Sequence, residues 1–153
     1  MAGHRLAASG RDHPVTRPVP VPDPQSAPFW EAASRHVLCL ARCGACGGFS
    51  HPPDVVCEHC GSTCPDFTFT PVDGRGTVES WTVMRQSFLP GFEELVPFVL
   101  VDVGLSDPSG VRLIGRLLDG QTPRLRLGAP VRTVFEHIGP DIAVPAFTLL
   151  EDP

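Results

Sequence analysis

Among the 153 residues there is no lysine, no tyrosine, and only two methionines and two tryptophans. No apolar run approaches the roughly 20 residues of a membrane-spanning helix, so no helical membrane anchor is expected within these residues. The first residues lack the basic-then-apolar pattern of a secretory signal. A cytoplasmic, reducing setting is therefore expected, in which thiols stay available as ligands. All twelve basic residues are arginine, a bias that speaks of a GC-rich genome more than of guanidinium chemistry. Positive charge is short overall. The net charge is −5, which argues against nucleic acid as the main partner, since such domains carry a basic excess.

Cysteine is what the chain does have. Six stand within 26 residues, and four form two matched pairs, Cys43-Gly44-Ala45-Cys46 and Cys57-Glu58-His59-Cys60, ten residues apart. A glycine follows each pair, Gly47 and Gly61. Two residues between thiolates let one tight turn aim both sulfurs at a common ion, and the glycine takes the positive φ that the turn requires. Disulfides are the competing reading, but cysteines clustered in a chain without a secretory signal do not look like a secreted framework. Cys39 lies in the apolar run Val37-Leu38-Cys39-Leu40 and Cys64 precedes Pro65 in a linker-like stretch, so both are read as non-ligands. Four thiolates, Cys43, Cys46, Cys57 and Cys60, close the coordination shell. The expected metal is a structural zinc, one per chain, that activates no water. Iron binds the same donors, and the sequence leaves that choice open.

Around this quartet the chain reads as three stretches and a mainly β fold. Residues 1–27 are rich in proline without apolar periodicity and are expected to form a disordered or extended arm. Residues 28–66 hold a short helix and the zinc ribbon. Ser26 and Pro28 give a helix start, and Phe29, Trp30, Ala33 and Val37 place apolar groups on roughly one face. Phe29 and Trp30 have two readings: packing on the chain's own core, or an apolar plug for a partner. Residues 67–150 alternate as strands. Phe67–Thr70 and Thr77–Gln86 flank a turn at Asp73-Gly74, and Pro97–Val103 follows. Val111, Leu113 and Leu117 then alternate with Arg112, Ile114 and Arg116. Val131, Thr133 and Phe135 alternate with Arg132, Val134 and Glu136, and a last strand spans about Ile142–Leu149. Short strands separated by glycine and proline, following a metal ribbon, predict a small antiparallel barrel of the OB type.

Charge and chemistry point away from catalysis by this chain alone. Between Val111 and Val134 stand five arginines, Arg112, Arg116, Arg124, Arg126 and Arg132, against the single acid Asp119, whereas Phe67–Gly110 holds six acids and two arginines. No nucleophile with a base, and no acid–base pair, can be assembled from the sequence. His137 stands alone near the end of a strand.

The ordered motifs resemble a family of OB-fold proteins with an N-terminal rubredoxin-like zinc ribbon that associate with acyl-CoA enzymes. The resemblance runs over roughly residues 28–150. It is carried by Phe29-Trp30, Arg42-Cys43, Cys46-Gly47, Pro52-Pro53, Cys57, Cys60-Gly61, Gly74-Arg75-Gly76-Thr77-Val78 with Ser80 and Thr82, Pro97, and Gly128-Ala129-Pro130-Val131 with Phe135. It implies an accessory subunit in a hetero-oligomer with a thiolase-like enzyme, such as an aldolase or thiolase acting on CoA esters in sterol side-chain degradation. A hot-dog-fold enoyl-CoA hydratase and a small-polyketide acyltransferase are alternative partners. A nucleic-acid-binding ribbon and barrel module fits the acidic balance less well. With that implication come expected acyl-CoA contacts. Arg112 and Arg116 share a strand face and could grip phosphate, and Trp81 could stack on adenine; their alternatives are a solvated face and a core position. Phe29 and Trp30 become the expected partner contacts. Asp54 stands where the family often has arginine after the paired prolines, and Phe98 where tyrosine is frequent.

Overall fold

A computed structural model describes residues 17–151 of the chain. The first sixteen residues of the proline-rich arm lie outside the described residues. From Arg17 onward the arm follows the barrel wall, with Arg17 Nη1 2.7 Å from Glu136 Oε1 and its guanidinium 5.8 Å from the Phe92 ring centroid.

Helix α1 spans Ala27–Ser34, with proline in its first turn. Ser26 occupies the cap position, but its side chain makes no capping bond. Instead, the Asp23 carboxylate accepts the N–H groups of Gln25 at 3.0 Å and Ser26 at 2.7 Å, together with the Ser26 hydroxyl at 2.8 Å. The helix ends where His36 enters the left-handed region at φ 61 and donates its N–H to the Ala33 carbonyl. Phe29, Ala32 and Ala33 form its buried face.

The ribbon carries a three-stranded sheet in which β1 (Cys39–Arg42) lies between β2 (Phe49–Ser50) and β3 (Thr68–Pro71). The pairing of β3 with β1 runs from Cys39 opposite Pro71 to Arg42 opposite Thr68. The Asp73-Gly74 turn therefore hands the chain from the ribbon sheet to the barrel; it does not fold β3 back on the next strand. The Gly74 carbonyl is fixed there by the N–H and hydroxyl of Thr133, at 2.8 and 2.9 Å.

Five strands close the barrel: β4 (Arg75–Met84), β5 (Phe98–Leu105), β6 (Arg112–Leu117), β7 (Pro130–His137) and β8 (Ala143–Leu149), in the order β4-β5-β6-β8-β7. Four seams are antiparallel. The fifth, between β6 and β8, is parallel, with Arg116 opposite Ala146 and Leu117 opposite Phe147. Along β5 the period-two pattern buries Val99, Val101, Val103 and Leu105 and turns Leu100, Asp102 and Gly104 outward. These valines pack with Val78, Leu117, Val131 and Phe147. Each fully buried side chain of this kind contributes about 1.5–3 kcal/mol. Gly115 makes room for Phe147, because a Cβ there would sit 2.9 Å from the ring.

Candidate functional site

The two knuckles repeat one backbone geometry. The Gly47 N–H reaches the Cys43 carbonyl and the Gly61 N–H the Cys57 carbonyl, both at 2.8 Å, and the two glycines have φ of 76° and 70°. The turns bring the sulfurs of Cys43, Cys46, Cys57 and Cys60 within 4.8 Å of one another. Cys46 Sγ lies 3.7 Å from Cys57 Sγ. A tetrahedral ion with metal–sulfur bonds of about 2.3 Å needs sulfurs about 3.8 Å apart, so the cage fits a metal of zinc's size. Backbone N–H groups of Cys60 and His59 hold the Cys57 thiol down at about 6. Although the Gly48 N–H opposes it, burial and the neighbouring sulfurs of Cys60, Cys57 and Cys43 push Cys46 up to about 12. Four convergent thiol sulfurs at this spacing are the donor set of a closed tetrahedral site, which a divalent cation such as zinc completes. Cys39, buried in β1, and the exposed Cys64 stand outside the cluster.

The loop between the knuckles has a second role. His51, Pro52 and Pro53 form one wall of an apolar groove of about 340 Å³; Ser26, Phe29 and Trp30 form another, and Leu113, Ile114, Val144 and Pro145 on the barrel form the floor. Phe29 is only 6% exposed and belongs to the core, with its ring edge-on to Trp30 at 4.9 Å and tilted against His51 at 4.8 Å. Trp30 is half-buried at the rim. Burial holds the His51 imidazole below its ordinary pKa, so the groove is uncharged at neutral pH.

Ile114 lies on the groove floor and is 73% exposed, between Arg112 and Arg116 on the outward face of β6. Both arginines are engaged. Arg112 Nε reaches Asp102 Oδ1 at 3.1 Å, and a second contact joins its Nη2 to Oδ2. Arg116 makes two bonds to Glu136. Arg112 keeps 57% of its side chain exposed and Arg116 only 24%. Trp81 is 39% exposed and pairs with Val101 on β5. Paired residues share a sheet face, so the register sets Trp81 on the face opposite Arg112 and Arg116. The three expected acyl-CoA contacts do not converge on one site.

Sequence reasoning missed the groove itself. Its signal was Ile114, an apolar residue at the outward parity of an otherwise alternating strand. It also missed Phe88 and Leu89 between β4 and β5, 91% and 58% exposed, although the run Phe88-Leu89-Pro90-Gly91-Phe92 interrupts the strand pattern. Among the described residues, no helix is long and apolar enough to cross a membrane.

Residues 30–67 match the family described as the ChsH2 rubredoxin-like zinc ribbon domain, and residues 69–136 match the ChsH2 C-terminal OB-fold domain. A solved structure titled "Ltp2-ChsH2(DUF35) aldolase" is 33% identical, with a TM-score of 0.72 over 85% of this chain and 98% of the matched chain. The chain belongs to the ChsH2 (DUF35) family. A DUF35 protein of unknown function from Sulfolobus solfataricus shares the fold at 13% identity and a TM-score of 0.52, over 82% of this chain and 85% of that one. Two curated relatives carry ChsH2-like sequence within longer chains. The "probable enoyl-CoA hydratase alpha subunit" of Thermomonospora curvata is 33% identical over 86% of this chain. The "3-oxo-4,17-pregnadiene-20-carboxyl-CoA hydratase alpha subunit" of Mycobacterium tuberculosis is 34% identical over 70% of it. This ChsH2-type chain spans 39% and 32% of their lengths, respectively.

Proposed function

We propose that this chain is a noncatalytic accessory subunit of an acyl-CoA enzyme, held together by one structural zinc. Its partner is a thiolase-superfamily aldolase or thiolase that cleaves a carbon–carbon bond in sterol side-chain or related lipid metabolism. The observation that carries this reading is the apolar groove flanked by Arg112 and Arg116. An acyl-CoA ester pairs an apolar acyl portion with anionic phosphates, and the groove offers the matching pair of surfaces. Arg112, the more exposed of the two, is the phosphate contact; Arg116 is committed to Glu136. Trp30 at the rim is the partner contact, whereas Phe29 supports it from the core. The likeness to the Ltp2-ChsH2 aldolase over nearly the whole matched chain supports the aldolase class of partner.

Co-expression with a thiolase-like subunit tests the reading. A stable complex that cleaves an acyl-CoA, together with an isolated chain that turns over none, is the expected result. Turnover by the chain alone overturns it. The names of the curated relatives favour a second reading, in which the enzyme subunit is a hot-dog-fold enoyl-CoA hydratase; co-purification with that subunit instead would select it.

A further inference from the structure

Two histidines 101 positions apart meet where the end of α1 reaches the barrel. His36 Nε2 lies 2.7 Å from His137 Nε2. His36 is held by its left-handed backbone, by its N–H bond to the Ala33 carbonyl at 2.9 Å, and by its ring, which lies parallel to Phe135 at 5.6 Å. His137 follows Phe135 by two residues on β7 and so shares its face. The two imidazole planes are inclined at 54°, and both residues are exposed, with room for water around the nitrogens. Neither ring takes part in the groove or the thiolate cage.

Two neutral imidazoles make this contact only when one N–H points at the other's lone pair. With that proton moved to Nδ1, both lone pairs converge on one point. Ligand nitrogens on a tetrahedral ion with bonds of about 2.0–2.1 Å stand about 3.3 Å apart, so ring swings of about half an ångström open the contact into a chelate. We propose that His36 and His137 form a second metal site, a surface clip for a divalent transition ion such as Zn²⁺ or Ni²⁺ whose remaining ligands are water. Imidazole selects these ions over Mg²⁺ and Ca²⁺. With two protein ligands instead of four, the clip exchanges its ion readily, unlike the thiolate cage. An ion here ties the chain just past the end of α1 to β7. The same helix supplies Phe29 and Trp30 to the groove, and eight residues give it little stability of its own.

The test uses the full chain with its thiolate-bound metal in place, confirmed at one equivalent. Dialysis against submillimolar Zn²⁺ is expected to load a second equivalent and raise the melting temperature. Ca²⁺ and Mg²⁺ are expected to do neither. In His36→Ala and in His137→Ala the apparent affinity for the second ion falls at least tenfold, about 1.4 kcal/mol, while the first equivalent remains and added Zn²⁺ no longer raises the melting temperature. The proposal is overturned if the parent chain binds no second ion in this range, or if either variant keeps the second ion at undiminished affinity.

Discussion

Arg116 holds Glu136 with two N–H···O bonds, Nε to Oε2 at 3.0 Å and Nη2 to Oε1 at 2.8 Å, and Arg17 shares the same carboxylate. One acid thus joins β6, β7 and the proline-rich arm while only 15% exposed. Replacing Glu136 by Gln strands two half-buried guanidinium groups. It is expected to cost about 1.5–3 kcal/mol, read as a lowered urea midpoint. Faster proteolysis near Arg17 should accompany it, because the arm loses its anchor.

The thiolate cage predicts a sharp division among six cysteines. Serine at Cys43, Cys46, Cys57 or Cys60 should abolish stoichiometric metal and unfold the ribbon, whereas serine at Cys39 or Cys64 should leave metal content at one per chain. Elemental analysis of the six variants decides it, and visible absorbance distinguishes iron from zinc.

Phe29 and Trp30, adjacent in sequence, should separate in experiment. Phe29→Ala opens a cavity in the core and is expected to lower stability by about 3–5 kcal/mol. Trp30→Ala should cost less in the isolated chain but about 2 kcal/mol or more of binding in the assembled complex. Melting and complex formation measured on both proteins check the split.

Arg112→Ala in the assembled complex should weaken acyl-CoA binding by about 1.5–3 kcal/mol, the worth of one charge-assisted bond. Unchanged affinity returns Arg112 to a purely structural pairing with Asp102.

Asp119 sets an acid limit. Burial works to raise its pKa, but the Thr148 hydroxyl at 2.7 Å, the Leu149 N–H at 2.9 Å and Arg124 outweigh it and hold the carboxyl below its ordinary range. A depressed folded-state pKa stabilises the fold fully above the unfolded value near 3.9, and that contribution disappears as pH falls through the lower folded value. Asp119→Asn should therefore lower stability at neutral pH and flatten its loss on acidification, as measured by denaturant midpoints across that range.

The four-cysteine cluster, the helix and the alternating strands were legible because each rests on local chemistry: matched spacing, a proline in the first turn, period-two burial. What stayed hidden was non-local. Nothing in Thr68–Pro71 announces that it pairs with β1 on the far side of both knuckles and not with β4 close by in sequence, because each pairing buries a similar face. The parallel seam between β6 and β8 follows from closing the barrel, a property of the whole and not of either strand. Arg112 and Arg116 were readable as one face, but their carboxylate partners lie on other strands, Asp102 on β5 and Glu136 on β7. Trp81 was readable as a strand residue, but the face it takes was not. The register shift between Val78 and Ser80 alters the parity of β4 before the tryptophan is reached.

The crossing of β3 into the ribbon sheet makes the two parts fail together. Its partner strand β1 leads directly into Cys43, and only three residues, Val72–Gly74, separate β3 from the first strand of the barrel. Stripping the metal is expected to loosen β1, with it the paired β3, and through β3 the Gly74 carbonyl that Thr133 secures to β7. A chelator is therefore expected to weaken a barrel hydrogen bond as well as the ribbon, and heat to unfold ribbon and barrel of the metal-loaded chain together.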